Sequence, residues 1–143
     1  MILPDANLLL YAYYPRAVQH EPSKAWLEHT LSSSEIVRFT WLTLWAFLRI
    51  ATNSKVFEEP LSIGEATRAV ASWLQRPNAD VVEPGERYWT IFHELAEKAQ
   101  CTGPLVTDAA LAAIAIEHGA TLYTTDRDFS RFPGLAWTNP LES

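Results

Sequence analysis

Cysteine is nearly absent: Cys101 stands alone, which excludes an internal disulfide and fits a reducing compartment. With only four histidines and no His or Cys cluster, nothing suits a zinc site. Basic residues are few as well. The 11 Lys and Arg against 17 Asp and Glu leave a net charge of -6, which argues against a protein that coats a polyanion through a broad basic face. It leaves room for an enzyme that positions phosphates through metal ions, since such a site needs carboxylates at its centre and only a few cations at its rim. Long hydrophobic runs are missing: Trp41 to Leu48 and Ala109 to Ile116 fall well short of a membrane span. The N-terminus has no basic region followed by an apolar core, and Asp5 arrives almost at once. A soluble, cytoplasmic chain without membrane association is expected. Internal repeats, low-complexity segments and linkers are absent too. What is there is ordinary globular usage, 48% hydrophobic and 20% charged over 143 residues, enough for one domain spanning residues 1–143.

Strand-like and helix-like segments alternate along the chain. Ile2-Leu3 starts a buried strand, and the apolar segment Ala6 to Tyr13 reads as a helix entered at Asp5 and stopped by Pro15. Pro22 to Leu31 is amphipathic, Glu35 to Phe39 reads as a strand, and Trp41 to Ala51 is a helix apolar nearly all round with Arg49 its one charge. Such a helix belongs in the core or in a subunit contact, and its bulk favours the contact. Ser62 and Glu65 have the spacing of a capping box for a helix running to about Gln75. A short strand is expected over Asp80 to Glu83. Helices follow over Arg87 to Ala99, with Tyr88, Ile91, Phe92 and Leu95 on one face, and over the Ala-rich Leu105 to His118, with Gly119 as its stop. Residues 120–124 form a strand, Arg127 to Arg131 a helical turn, and Leu135 to Thr138 a last strand. This alternation predicts an α/β fold with a parallel or largely parallel sheet between helices.

Three acids punctuate that pattern. Asp5 and Asp126 each follow a strand, and Asp108 stands where the Ala-rich run begins. Singly, each is a plausible helix N-cap. Asp5 and Asp126 leave strands at the same kind of end, where ligands bind in open α/β folds, and Asp108 opens the most buried helix. Two carboxylates about 4 Å apart repel by roughly 4 kcal/mol at an effective dielectric of about 20, so three converging acids call for a cation. Oxygen ligands suit Mg²⁺, with Mn²⁺ the alternative.

The stretches PDANLLLYA, FLRIATN and VTDAALAAIAIEHGATLYTTDRDFSRFPGL resemble PIN domains of the VapC toxin type over almost the whole chain. The resemblance implies a three-layer α/β/α sandwich, metal-dependent cleavage of RNA, a cognate antitoxin that occludes the site, and a two-fold homodimer. It implies catalytic and metal-binding roles for Asp5, Asp108 and Asp126, a fourth metal-side acid in Asp128, and supporting polar roles for Asn7 and Thr125. One departure is plain: many members carry a Glu on the helix after the second strand, whereas Trp41 to Phe47 contains no acid. One metal held tightly and a second weakly is the consequence expected, and a PIN-fold module that binds RNA or protein without cutting is the alternative. A phosphatase with Asp5 as nucleophile is weaker, because Asn7 stands where that chemistry wants a second Asp.

The remaining candidates are read conservatively. Arg49 is expected in an internal ion pair with a site aspartate, with a phosphate contact as the alternative. His20 is expected at a helix entry. The six Trp are expected mostly in core and interface. Arg16, Lys24, Arg127 and Arg131 are solvated charges unless the fold gathers them at the rim of the site.

Overall fold

The computed structural model describes residues 1–142. Its elements in chain order are β1 (Ile2–Pro4), α1 (Ala6–Ala12), α2 (His20–Leu31), β2 (Val37–Phe39), α3 (Trp41–Ala51), α4 (Ile63–Leu74), β3 (Ala79–Val81), α5 (Tyr88–Lys98), α6 (Pro104–His118), β4 (Thr121–Tyr123) and β5 (Trp137–Thr138), with a 3-10 turn over Arg127–Arg131 between the last two. The five strands pair in the order β3-β2-β1-β4-β5, every pair parallel. Helices cover both faces, so the fold is the α/β/α sandwich expected.

Alternation along β1 shows how three residues feed two cores. Ile2 packs with Leu9, Leu27, Phe39, Phe47 and Trp73 beneath α1 to α4, whereas its neighbour Leu3 packs with Ala109, Ala112, Leu122 and Phe129 beneath α5 and α6. Successive side chains on a strand point to opposite faces, so a buried central strand must be apolar at both. On α6 the buried Ala109, Ala112, Ala113 and Ala115 let the helix lie close to the sheet. That helix starts one residue before the expected Leu105 because Pro104 takes its first turn, where a missing N–H is harmless. Gly103 precedes it at φ 57°, ψ -130°, a conformation open to glycine.

Other boundaries moved for local reasons. α2 begins at His20 rather than Pro22, since proline is tolerated within a first turn; His20 Nδ1 lies 2.9 Å from the Tyr11 carbonyl oxygen and ties α2 to the end of α1. β3 covers Ala79–Val81 rather than residues 80–83, because its register is set by β2, with Val37 opposite Ala79 and Phe39 opposite Val81. The capping box is present, Ser62 Oγ accepting from Glu65 N at 3.1 Å and Glu65 Oε1 from Ser62 N at 3.0 Å. After β3, the loop into α5 is held by Glu117 of α6, which accepts from Gly85 N at 2.7 Å and Arg87 N at 3.0 Å.

Helix α3 has one face in the core and one exposed. Thr43, Leu44, Phe47 and Ala51 are buried in the core, while Trp41, Leu42 and Trp45 are exposed, Trp45 by 59%. The two indoles stack at 5.4 Å. Among the other tryptophans Trp73 is buried and Trp89 exposed. No helix of the described residues is long and apolar enough to cross a membrane.

Candidate active site

The strand order places β1 between β2 and β4. The chain winds from β1 outward to β3 on one side, then returns to lay β4 and β5 on the other. The carboxyl ends of β1 and β4 therefore flank a topological switch point, where the connections diverge and leave a crevice. Asp5 directly follows β1, and Thr124-Thr125-Asp126 directly follows β4.

Hydrogen bonds lock these two strand ends together. Asp5 N donates to Tyr123 O at 2.9 Å, and Asp5 Oδ1 caps α1 by accepting from Ala6 N at 2.8 Å. Thr124, fully buried, is the hub. Its hydroxyl donates to Asp5 Oδ2 at 2.7 Å and accepts from Asp126 N at 3.0 Å and Asn7 Nδ2 at 3.3 Å. Asp126 in turn caps the 3-10 turn, its Oδ1 accepting from Asp128 N at 2.9 Å. Both Asp5 and Asp126 are thus caps as well as site acids, and the two roles coexist because a carboxylate has lone pairs to spare.

Asp108 comes from α6. It does not open its helix, as its place before the alanines implied, because Gly103 and Pro104 start α6 a turn earlier. The carboxylate sits on the helix wall and makes no hydrogen bond among the described residues. Partial burial, then the charges of Asp126, Asp5 and Asp128, push its pKa up from 3.8 to about 6, with Arg131 opposing the rise. Burial likewise raises the Asp5 pKa, against the hydrogen bonds from Thr124 and Ala6, and the charge of Asp126 adds to the rise. All four acids therefore share one electrostatic neighbourhood, whose negative charge the charge of Arg131 offsets only in part.

The donor set suits a hard divalent cation: carboxylate oxygens only, plus the buried Asn7 Oδ1, which has no hydrogen-bond partner. Among the described residues no three acidic, His or Cys side chains close around a single point.

Two other expectations change. Thr125 makes no side-chain hydrogen bond among the described residues; the supporting role belongs to Thr124, which sits one residue closer to the strand and points inward. Arg49 is exposed near the C-terminal end of α3 and forms no ion pair among the described residues, so it does not pair with a site aspartate. For Arg131 the stated alternative holds: expected to be solvated unless the fold gathered it at the rim of the site, it is exposed and its charge reaches Asp108. Sequence spacing held one signal for Thr124, since it follows the apolar run Thr121-Leu122-Tyr123 and precedes Asp126. For Arg131 it offered only a place at the end of the expected turn, shared in kind with Arg127 at its start. At the start of α3, where an acid is often found, stand the buried Thr40 and Thr43, joined hydroxyl to hydroxyl at 3.1 Å.

The family model "PIN domain" matches residues 2–135. Among curated relatives, ribonuclease VapC33 of Mycobacterium tuberculosis is 40% identical over 141 residues, covering 99% of each chain. Ribonuclease VapC37 of the same organism is 41% identical over 140 residues, covering 98% of this chain and 97% of the relative. Solved structures with the same fold include VapBC2 from Rickettsia felis bound to a promoter DNA fragment, with a TM-score of 0.71 at 18% identity over 97% of this chain and 98% of that one. Another is M. tuberculosis VapC20, described as a sarcin-ricin loop cleaving toxin, with a TM-score of 0.67 at 16% identity over 95% and 99%. Full-length identity of this order and a family match across nearly the whole chain show that the protein belongs to the PIN-domain family, in its VapC group.

Proposed function

We propose that this protein is a metal-dependent endoribonuclease and the toxin of a toxin–antitoxin pair, acting in the cytoplasm. The observation that carries the reading is the Thr124-centred network, which joins Asp5 and Asp126 across the switch point and faces them toward Asp108. Relatives of about 40% identity named as ribonucleases support RNA as the substrate. Neighbouring structures solved as VapBC complexes support a cognate antitoxin as partner.

Asp5, Asp108 and Asp126, with Asp128 beside them, would hold Mg²⁺ or Mn²⁺. The ion would supply charge neutralisation at the phosphate and a water acidified enough to attack it. The chain's own residues set the stage for that chemistry. Thr124 fixes the Asp5 carboxylate with a short hydrogen bond, so no rotamer search is needed when substrate arrives. The backbone amide of Asp128 fixes Asp126 in the same way. Asp108 has no such restraint, and burial together with the neighbouring charges of Asp126, Asp5 and Asp128 favours its protonated form when no cation is present. The apolar face of Trp41, Leu42 and Trp45, which lines a groove with Tyr88 and Ile114, supports a homodimer as the functional assembly.

The test is cleavage of a mixed RNA pool by antitoxin-free protein over a titration of Mg²⁺ and Mn²⁺. Metal-stimulated cleavage that vanishes in Asp5→Asn and Asp126→Asn is expected. RNA binding without cleavage at any metal concentration would make the protein a binding module instead and overturn the enzyme reading.

A further inference from the structure

A site built from four acids in a protein of net charge -6 must still bring a polyanion to rest. Most of the basic side chains are already engaged elsewhere. Arg16 pairs with Glu58, Arg127 with Glu142 and Lys98 with Glu94. Arg38, Arg76 and Arg87 donate to backbone carbonyls far from the carboxylates. Arg49 lies at the distal end of α3, nine residues' rise from the loop that leaves the sheet.

Arg131 is different. It closes the 3-10 turn that Asp126 opens, and its Nε donates to the Asp128 carbonyl at 3.2 Å. Buried Phe129 and Phe132, on either side of it, anchor that turn in the core. Its Nη groups have no hydrogen-bond or ion-pair partner among the described residues. A guanidinium restrained at Nε keeps its planar fork intact and presents two donors that match a phosphate's oxygens. We propose that Arg131 binds a phosphate of the RNA beside the carboxylate cluster, fixing the register in which the strand crosses the site. The inference rests on the ribonuclease reading and on the place of the residue at the end of the turn that Asp126 opens. Exposure of the side chain means that this role is separable from folding.

Steady-state cleavage of a mixed-sequence RNA, with and without added salt, tests it on the full-length protein. Arg131→Gln should raise KM about tenfold, the loss expected for one charge-assisted contact. It should also flatten the slope of log KM against log salt by about 0.7, one single-strand phosphate contact. Arg131→Lys should restore the salt slope while regaining only part of the affinity, because an ammonium keeps the charge without the fork. Melting temperatures of both variants should match the wild type. Wild-type KM and salt slope in Arg131→Gln would overturn this proposal alone. Equal losses in Gln and Lys variants together with lowered melting temperatures would assign the residue to folding and overturn it too. An inactive wild type would overturn the ribonuclease reading and this inference with it.

Discussion

Replacing Asp108 by asparagine should make the metal-free protein more stable while destroying its activity. In the folded state its carboxyl titrates near 6 rather than 3.8, first because it is partly buried and then because Asp126, Asp5 and Asp128 repel its charge. The folded protein therefore binds this proton more tightly than the unfolded chain does. Ionising the group costs folding free energy, and the cost grows as pH rises from about 4 to about 6 and is complete above that. The full linkage for such a shift is about 3 kcal/mol. Because the side chain is partly exposed and its neighbours are screened by salt, about half, near 1.5 kcal/mol, is the realistic share. Asparagine removes the charge at almost constant volume, and the carboxylate makes no hydrogen bond that would be lost. For a chain of this size that gain corresponds to roughly 3–6 °C in melting temperature. Thermal unfolding in chelator should show Asp108→Asn above wild type by that margin at pH 8, with the difference closing by pH 4. With Mg²⁺ added, the order should reverse, since a ligand bound only by the folded state stabilises it by about 2.7 kcal/mol at a hundredfold excess over Kd. Equal stability at pH 8 in chelator, or a difference that ignores pH, would show that the acids do not share one field.

Thr124→Val should lower stability by about 2–3 kcal/mol, because it leaves the Asp5 carboxylate and the Asp126 amide without their buried partner. Cleavage should fall with it, and Thr124→Ser should rescue both; a serine variant no better than valine would reduce the hydroxyl to a packing role. Trp45→Glu should convert a dimer to a monomer in light scattering at tens of micromolar without lowering the melting temperature appreciably, since the indole is largely exposed. A monomeric wild type at that concentration would remove the case for assembly through α3.

Much of this architecture was legible because it is written in short-range chemistry. The Trp41–Ala51 helix was read with its observed limits because Thr40 caps it and its composition leaves no competing local structure. Ser62 with Glu65, and Gly119 at φ 65°, mark helix ends through contacts only a few residues apart. Asp5 and Asp126 could be named from their places after strand-like runs and Asp108 from its place where the Ala-rich run begins, and the order of strands and helices implied a parallel sheet. Tertiary structure decided which neighbour of each candidate does the work. Thr124 rather than Thr125 holds Asp5 because only the residue aimed inward from the end of β4 meets a carboxylate 119 positions away in the chain. Arg131 rather than Arg49 stands by the acids because the 3-10 turn folds back over the switch point while α3 carries Arg49 away from it. The raised pKa of Asp108 arises the same way: the fold partly buries the carboxyl, and three charges distant or offset in sequence then add to the rise because the fold has brought them near it.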